Sequence, residues 1–258
     1  MTPSFELAVS NAVNGPSSQR TVYEQSYVRS MFDSIAGRYD LLNRLLSGGL
    51  DIWWRRKTVD LIRPFDPKHI LDVATGTADL AMATSRLNPQ HITGVDLSVE
   101  MLNIAKKRIA ARHLTSLISL QQGSAESLPF DSGAFDAVTV AFGARNFTDL
   151  HSGLSEIHRV LRPNGVAAIL EFSQPKFLPL RHIYRFYIEK IIPVLGGAVS
   201  GNREAYAYLP KTVAEFPSGT SFLANLDSAG FTRTSYHPLT AGIVTVYLGI
   251  KGQEGDPQ

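Results

Sequence analysis

The sequence predicts an α/β fold in which a mainly parallel sheet of seven strands carries helices on both faces. Three observations support this prediction. Between residues 69 and 172, short β-branched and aliphatic runs alternate with helical patterns. The first run ends in a turn of small residues, Ala74-Thr75-Gly76-Thr77-Ala78. Near the end of the chain, Thr240-Ala241-Gly242 separate two strand patterns; three residues are too few for a parallel crossover, so these strands form an antiparallel hairpin.

The elements follow in order along the chain. Apolar residues at three- and four-residue spacing predict a helix within 27–57, interrupted at Ser47-Gly48-Gly49, and a second helix over about 53–62 that ends before Pro64 and Pro67. The predicted strands are 69–74, 91–96, 118–124, 134–142, 166–172, 234–239 and 243–251. The helices between them are 80–86, 99–112 and 152–161, then an inserted helix within 177–199 and a helix over 212–229 that Pro217 breaks.

These elements predict five segments. They are a flexible leader (1–20), a helical cap (21–66), a catalytic domain (67–251) with a substrate-side insertion (174–216), and a short tail (252–258). The leader lacks the apolar core of a signal peptide. A mainly parallel sheet that ends in one antiparallel hairpin is typical of the class I, Rossmann-like methyltransferases that use S-adenosylmethionine (SAM).

Composition excludes several classes of site. The chain has 258 residues, a net charge of +2 and no cysteine, which excludes thiolate metal sites, disulfides and cysteine nucleophiles and suits a cytoplasmic location. No metal site is predicted. The small net charge argues against a broad nucleic-acid surface. No window holds the roughly 18 to 20 uncharged apolar residues that a membrane span needs.

The turn at Gly76 and the acid at the tip of the second strand, Asp96, predict a nucleotide-binding crevice. Small residues let the backbone approach a ligand, and Asp96 would accept both ribose hydroxyls, since the sequence shows no other evident partner for it. The alternatives are a ligand-free turn and a helix cap, for which Ser98 is better placed. Asp79 is expected either to cap its helix or to face the ligand.

Further candidates lie at the ends of the next strands. Ser124 and Ala125 would leave room for a flat adenine ring, and Met101 would lie over that ring or in the core. Arg145 lies at the mouth of the crevice, with a surface salt bridge and helix cap as its alternative reading. Glu171, inside a strand, is expected to be buried and to need a partner, for which Arg145 is the candidate.

The chain resembles the ubiquinone/menaquinone-biosynthesis C-methyltransferases, the UbiE/MenG family, over residues 28–251. Five matching segments occur in the family's order. Three residues depart from its pattern: Ala78 stands where glycine is usual, Ser124 where asparagine or aspartate is frequent, and Asp51 where many members carry histidine. The segments are 31–43, beginning Met31-Phe32-Asp33; Phe142-Gly143-Ala144-Arg145-Asn146; Leu170-Glu171-Phe172-Ser173; Tyr206-Ala207-Tyr208-Leu209-Pro210 with Phe216-Pro217; and Leu239-Thr240-Ala241-Gly242-Ile243-Val244.

The resemblance implies SAM as cofactor. By it, Thr77 and Asp96 would contact the cofactor beside Gly76 and Met101, and Ser124 and Ala125 would hold the adenine edge. Arg38 and Tyr39 would fold over its methionine end, where a tyrosine face attracts the sulfonium.

The resemblance also implies methyl transfer to a ring carbon of a polyprenylated quinol. Demethylmenaquinol is favoured, and a benzoquinol or another lipid acceptor remains open. Arg145 is the first candidate for stabilising the developing oxyanion or activating a water, with Asp40 and Tyr208 as weaker catalytic candidates. Segment 177–199 would meet a membrane, line a prenyl channel, or pack as a lid on the sheet or on a second subunit.

Overall fold

The computed structural model describes residues 24–175, 177–191 and 203–253. Within them, seven strands form one sheet in the order β3-β2-β1-β4-β5-β7-β6. The first five strands are parallel, and β7 pairs antiparallel with both β5 and β6, so the predicted sheet and its terminal hairpin are confirmed. The strands are β1 His69–Val73, β2 His91–Asp96, β3 Ile118–Gln122, β4 Phe135–Ala141, β5 Leu161–Phe172, β6 Phe231–Leu239 and β7 Val244–Lys251.

Helices cover both faces of this sheet. The predicted break in the first helical region lies at Gly48 and Gly49, whose positive φ of 59° and 80° suits glycine. Pro217 lies between two helices, as predicted. The helices are α1 Gln25–Leu46, α2 Leu50–Ile62, α3 Asp79–Thr84, α4 Val99–Ala111, α5 Leu150–Val160, α6 Leu178–Phe186, α7 Arg203–Glu215 and α8 Thr220–Ser228.

Several predicted elements differ from the structure. The helix predicted to begin at Thr212 begins at Arg203, and the strand predicted to begin at Thr234 begins at Phe231. The turn expected before the fifth strand is a bulge inside it: Leu161 pairs with Phe135, the next pairing is Val166 with Ala137, and Asn164 between them adopts a φ of 63°. The inserted helix α6 is followed by a π-helical turn, Tyr187–Ile191. The remainder of the predicted 177–199 helix lies outside the described residues, as does the whole predicted leader, and the predicted domain limits stay predictions.

The core has three parts. Alternate residues of the strands point to opposite faces, so α5 and α8 cover one face with Leu154, Ile157 and Phe222, while α2, α3 and α4 cover the other. A third cluster joins α1, α6, the π-helical turn and α7 beyond the carboxyl ends of the parallel strands. This third cluster places a helical layer over the edge where sites form in such sheets. No described helix is long and apolar enough to cross a membrane.

Candidate active site

The turn after β1 leaves open space at the edge of the sheet. Ala74, Gly76 and Ala78 all have left-handed backbone, with φ of 52°, 56° and 67°. Alanine adopts this conformation only at a cost, so surrounding contacts must hold the turn in place. A Cβ atom at Gly76 would meet nothing within 4 Å. The turn therefore presents bare backbone to a ligand.

Asp72, a buried residue of β1 that the sequence analysis did not single out, holds the turn from below. Its carboxylate accepts hydrogen bonds from Thr139 Oγ1 (2.6 Å), Thr75 Oγ1 (2.6 Å) and the N–H of Ala81 (3.1 Å). Burial raises the pKa of Asp72 to about 6, although these hydrogen bonds oppose the rise. The signal available in the sequence was a carboxylate within an otherwise apolar strand.

Asp96 lies at the tip of β2, and the expectation that it lacks a protein partner is wrong. Its Oδ2 accepts from the N–H of Gly76 (2.7 Å) and its Oδ1 from the N–H of Ser98 (2.9 Å). Ser98 caps α4 by accepting from the N–H of Met101, as expected. Burial raises the pKa of Asp96. Asp96 thus links the turn after β1 to the turn after β2. It also lines a cavity.

A cavity of about 70 Å³, called here the smaller cavity, lies between these turns and α1. It is lined by five of the residues predicted to bind cofactor: Tyr39, Gly76, Asp96, Met101 and Ala125. Most of the remaining wall is apolar or small. The other lining residues are Val28, Arg29, Phe32, Ala74, Leu97, Ser98, Gly123, Glu126, Ala141, Phe142, Gly143, Asn146 and Phe147.

Helix α1 closes this cavity by contacts with the turns after β2 and β3. Asp33 accepts from Ser98 Oγ (2.5 Å), and Gln25 Nε2 donates to Ser124 Oγ (3.0 Å) and Glu126 Oε2 (3.2 Å). Ser124 also donates a hydrogen bond to Glu126. The structure therefore places Ser124 against α1, behind the wall of the smaller cavity rather than in it.

A network of charged side chains links α1 to the turn after β1. Asp40 accepts from Thr77 Oγ1 (2.6 Å) and pairs with Arg108 (2.8 Å). Arg108 also donates to the carbonyl of Thr77 and to Asp79 (2.5 Å). Burial raises the pKa of Asp40. Burial opposes ionisation of Asp79 too, but Arg55 and Arg108 outweigh it and lower the pKa of Asp79.

This network of charges sets the surroundings of three predicted residues, Asp40, Thr77 and Asp79. Asp40 and Thr77 bind each other and lie outside the walls of both cavities described here. Arg38 is exposed and also lies outside these walls. Asp79 pairs with arginines rather than facing the smaller cavity. The predicted roles of Asp40, Thr77 and Arg38 stay predictions.

A larger, mostly apolar cavity of about 400 Å³ adjoins the first. Phe32, Tyr39 and Phe142 line both cavities and form the wall between them. Burial raises the pKa of Tyr39. The other residues that line the larger cavity are Met31, Ile35, Asn43, Leu45, Leu46, Ser47, Gly48, Leu50, Asp51, Trp54, Arg55, Arg145, Phe172, Tyr184, Tyr187, Ile188, Tyr208, Leu209 and Ile243.

Arg145 lines the larger cavity as one half of a buried ion pair. Its Nη1 lies 2.8 Å from Glu171 Oε1 and donates to the carbonyl of Phe142 (2.5 Å), and its guanidinium lies 5.4 Å from the centre of the Phe172 ring. Arg145 is 7% exposed and Glu171 0% exposed. The expected pairing is therefore correct, and the surface alternative is wrong. Burial lowers the pKa of Arg145, but Glu171, Tyr39 and Tyr208 together more than offset it, so the pKa is raised and Arg145 stays charged.

Tyr208 donates a hydrogen bond to Asn146 Oδ1 (2.9 Å). Tyr208 lines the larger cavity and Asn146 the smaller, so this bond crosses from one to the other. Two further lining residues were not predicted. Asp51 is a buried carboxylate in the first turn of α2, and the sequence analysis noted it only as a departure from the histidine that many family members carry. The hydroxyl of Tyr184 is buried without a hydrogen-bond partner in the described structure.

The helix α6 has two different faces. Tyr184 and, in the turn that follows, Tyr187 and Ile188 line the larger cavity. Phe177, Leu178, Ile183 and Phe186 are instead more than 60% exposed. Different side chains of this segment therefore line the cavity and face outward, and the predicted prenyl channel and membrane contact stay predictions.

The smaller cavity fits the cofactor that the fold implies. Bare backbone at Gly76 and small side chains at Gly123 and Ala125 suit a flat ring system, and the Asp96 carboxylate suits a sugar that donates hydrogen bonds. Gly143 suits the crowding here, because a Cβ atom there would lie 2.5 Å from the Cβ of Ala74. Within the described residues, no cluster of side chains could hold a metal ion.

The comparisons with known sequences all indicate the same family. The model of the ubiE/COQ5 methyltransferase family matches residues 20–251. A protein of Geotalea daltonii named ubiquinone/menaquinone biosynthesis C-methyltransferase UbiE is 46% identical over 87% of this chain and 96% of its own length. Proteins named demethylmenaquinone methyltransferase are similar as well. That of Thermus thermophilus is 46% identical over 85% of this chain and 99% of its own, and that of Bacteroides fragilis 42% identical over 87% and 92%.

Solved structures match the fold. A SAM-dependent methyltransferase of Thermotoga maritima, described as a possible histamine N-methyltransferase, covers 86% of this chain and 99% of its own with a TM-score of 0.61 and 18% identity. A putative SAM-dependent methyltransferase of Methanococcus maripaludis covers 88% and 96%, also with a TM-score of 0.61 and 18% identity. At this identity the likeness concerns the fold alone.

Proposed function

The chain belongs to the ubiE/COQ5 methyltransferase family, and from this premise we propose that it methylates a ring carbon of a polyprenylated quinol. SAM is the methyl donor. The preferred acceptor is demethylmenaquinol, because relatives from Thermus thermophilus and Bacteroides fragilis are named demethylmenaquinone methyltransferase. The alternative is 2-methoxy-6-polyprenyl-benzoquinol, since the relative from Geotalea daltonii is named for both quinone pathways.

One observation carries this proposal: two unlike cavities share a wall of three aromatic residues. The smaller has a carboxylate and bare backbone at the carboxyl ends of parallel strands. The larger is bordered mostly by apolar side chains. A polar, nucleotide-like donor and an apolar acceptor therefore have separate places on either side of Phe32, Tyr39 and Phe142. Methyl transfer requires that the two sites meet, because the carbon, the methyl group and the sulfur must lie in line, and the three shared residues mark where these sites would meet.

SAM supplies an electrophilic methyl group on a positively charged sulfur. The residues of the chain then have two tasks. Phe32, Tyr39 and Phe142 exclude water and would lie near the positive charge that is lost during transfer. The charged Arg145 stabilises negative charge that develops on the acceptor oxygen as its proton departs. Glu171 and the carbonyl of Phe142 hold the guanidinium in place for this.

The experiment for this function is a methylation assay with labelled SAM. Purified protein is given reduced demethylmenaquinol or the demethylated benzoquinol, each with a short prenyl tail, in detergent. Label in the naphthoquinol is expected, and the ratio of kcat/KM between the two quinols decides the acceptor. Binding of SAM by calorimetry without label in either quinol would contradict the acceptor assignment and leave the fold intact.

The outward face of α6 supports peripheral contact with the inner face of a membrane. Phe177, Ile183 and Phe186 are exposed there, with the exposed cations Arg181 and Lys190 nearby. Apolar side chains flanked by cations bind the interface of anionic lipids. Tyr184, Tyr187 and Ile188 of the same segment line the larger cavity, so a lipid acceptor bound at this surface would lie beside its proposed site.

Vesicle sedimentation tests this contact. Vesicles of phosphatidylglycerol and phosphatidylcholine should bind the wild type, and the double substitution Ile183→Ser/Phe186→Ser should weaken binding at least tenfold. The control is Val99→Ser, which alters an exposed apolar residue on α4. Equal binding of all three proteins would contradict membrane contact. A stable dimer that the double substitution dissociates would assign this face to a second copy instead.

A further inference from the structure

The carboxylate of Asp51 has a special position in the larger cavity. Among the described lining residues it is the only carboxylate, and it is 2% exposed. Its Oδ2 lies 2.7 Å from Arg55 Nη1 and 3.5 Å from Arg44 Nη1, and its Oδ1 accepts from Ser47 Oγ (3.0 Å). These donors orient the carboxylate and compensate its buried charge. The proposed function gives this residue no task.

The other polar groups near this cavity are poor proton acceptors. Arg145 carries its full positive charge beside Glu171 and therefore cannot accept another proton. Tyr208 donates its hydroxyl proton to Asn146, and Tyr187 donates its own to the carbonyl of Leu46. Asp40 lies outside the cavity wall, between Thr77 and Arg108. Methylation of a quinol nonetheless requires that its hydroxyl proton be removed.

We propose that Asp51 accepts the proton of the quinol hydroxyl during methyl transfer. The inference rests on the proposed function. The bond between the ring carbon and the methyl group forms while the methyl–sulfur bond breaks, and sulfur keeps that electron pair. The hydroxyl proton passes to a carboxylate oxygen of Asp51. The hydrogen of the methylated carbon then leaves to water as a proton, and Asp51 returns its own proton to the ring oxygen, so each turnover releases one proton.

A carboxylate is basic enough for this step. As the ring carbon takes the methyl group, the ring gains positive character, and its hydroxyl becomes far more acidic than that of the free quinol. Proton transfer that accompanies bond formation therefore does not need a strong base. The charge of Arg145, on the same cavity, helps to stabilise the oxygen that remains.

The test is Asp51→Asn, with kcat and the binding of both substrates measured separately. We expect kcat to fall by about 10²- to 10⁴-fold, the usual contribution of a general base. The dissociation constants of SAM and of a short-tailed demethylmenaquinol should change by less than about threefold, a small free-energy difference. A halogenated quinol with a more acidic hydroxyl should recover part of the lost rate, because it depends less on a base. The matched control is Asp60→Asn, which alters an exposed aspartate of the same helix.

Several outcomes would overturn the inference. They are a kcat that falls less than about fivefold, a loss of quinol affinity with kcat unchanged, and a rate defect that is the same for every acceptor acidity. If Asp51→Asn does not fold, Asp51→Ala in the presence of formate replaces it, and partial recovery by formate is expected; no recovery overturns the inference. A wild type that binds quinol but never methylates it would instead overturn the proposed function, and this inference with it.

Discussion

Arg145 and Glu171 form an ion pair that is almost completely removed from water, with Nη1 and Oε1 2.8 Å apart. Removing one partner leaves a buried, uncompensated charge, so Arg145→Ala and Glu171→Ala should each lower the free energy of unfolding by about 3–5 kcal/mol. The control is the exposed pair Arg185–Glu189, for which substitution should cost less than about 1 kcal/mol. Urea unfolding measures the free-energy change for the buried pair and for the exposed control pair.

A double variant of this pair distinguishes a role in folding from a role in catalysis. The double substitution Arg145→Met/Glu171→Leu replaces both charges by apolar side chains and should restore most of the stability. It should nonetheless remain inactive, because the charge that stabilises the acceptor oxygen is gone. Activity in the stable double variant would show that Arg145 serves the fold alone.

Asp40 should affect the cofactor rather than the chemical step. It binds Thr77, in the turn of the smaller cavity, and Arg108. Asp40→Asn removes a charge-assisted contact worth about 1–2 kcal/mol and should weaken SAM binding by roughly tenfold. At saturating SAM, kcat should stay within about twofold of the wild type. A large fall in kcat with unchanged SAM affinity would instead restore Asp40 as a catalytic base.

Asp72 should make stability depend on pH. Its pKa is raised from an ordinary value of about 3.9 to about 6 in the folded state. The folded protein therefore holds this proton more tightly, so the stabilising contribution is complete below about pH 4 and is lost as the pH rises through about 6. This contribution of Asp72 to the free energy of unfolding is about 2–3 kcal/mol. Urea unfolding of the wild type and of Asp72→Asn from pH 4 to 7 should show this slope only in the wild type; parallel curves would contradict it.

Tyr184 and Tyr187 should respond oppositely to loss of their hydroxyls. The hydroxyl of Tyr184 is buried and lacks a partner in the described structure, whereas that of Tyr187 donates to the carbonyl of Leu46 (2.8 Å). Tyr184→Phe should leave the free energy of unfolding unchanged or raise it by about 1 kcal/mol, and Tyr187→Phe should lower it by about 1 kcal/mol. Equal losses in both variants would show that the Tyr184 hydroxyl has a partner.

Gly143 should not tolerate a methyl group. A Cβ atom there would lie 2.5 Å from the Cβ of Ala74, in the turn of the smaller cavity, so Gly143→Ala should cost about 1–3 kcal/mol and weaken SAM binding. Gly37, inside α1, has no atom within 4 Å of the same position. Gly37→Ala should therefore stabilise the protein by up to about 1 kcal/mol. Thermal unfolding and calorimetry test the pair; if both variants lose stability alike, crowding at Ala74 is not the cause.

The sequence predicted most of the fold because its signals are local. Residues 91–96 match β2 at both ends, since an apolar alternation stops at a single acid. The bulge at Asn164 was read as a turn, because glycine, proline and asparagine mark both. The pairing of Arg145 with Glu171 was predicted because each side chain needed a partner wherever it was buried.

The rest of the site depends on distant parts of the chain. Asp96 was found by its place at a strand end, but its bond to Gly76 requires a left-handed turn that includes two alanines, which sequence does not favour. Asp51 begins a helix, and only the packing of α1, α2 and α6 around one cavity gives its carboxylate a role. Periodicity shows that α6 has two faces without showing which one looks inward.

Helix α1 is a wall of both cavities, through Phe32 and Tyr39, and is fastened to the turns of the smaller one. Under the proposed function, donor and acceptor would therefore bind against the same helix. Any displacement of α1 that one ligand causes changes the free energy of binding of the other, and thermodynamic linkage makes that change reciprocal. The affinities of donor and acceptor would therefore be coupled through the position of a single helix.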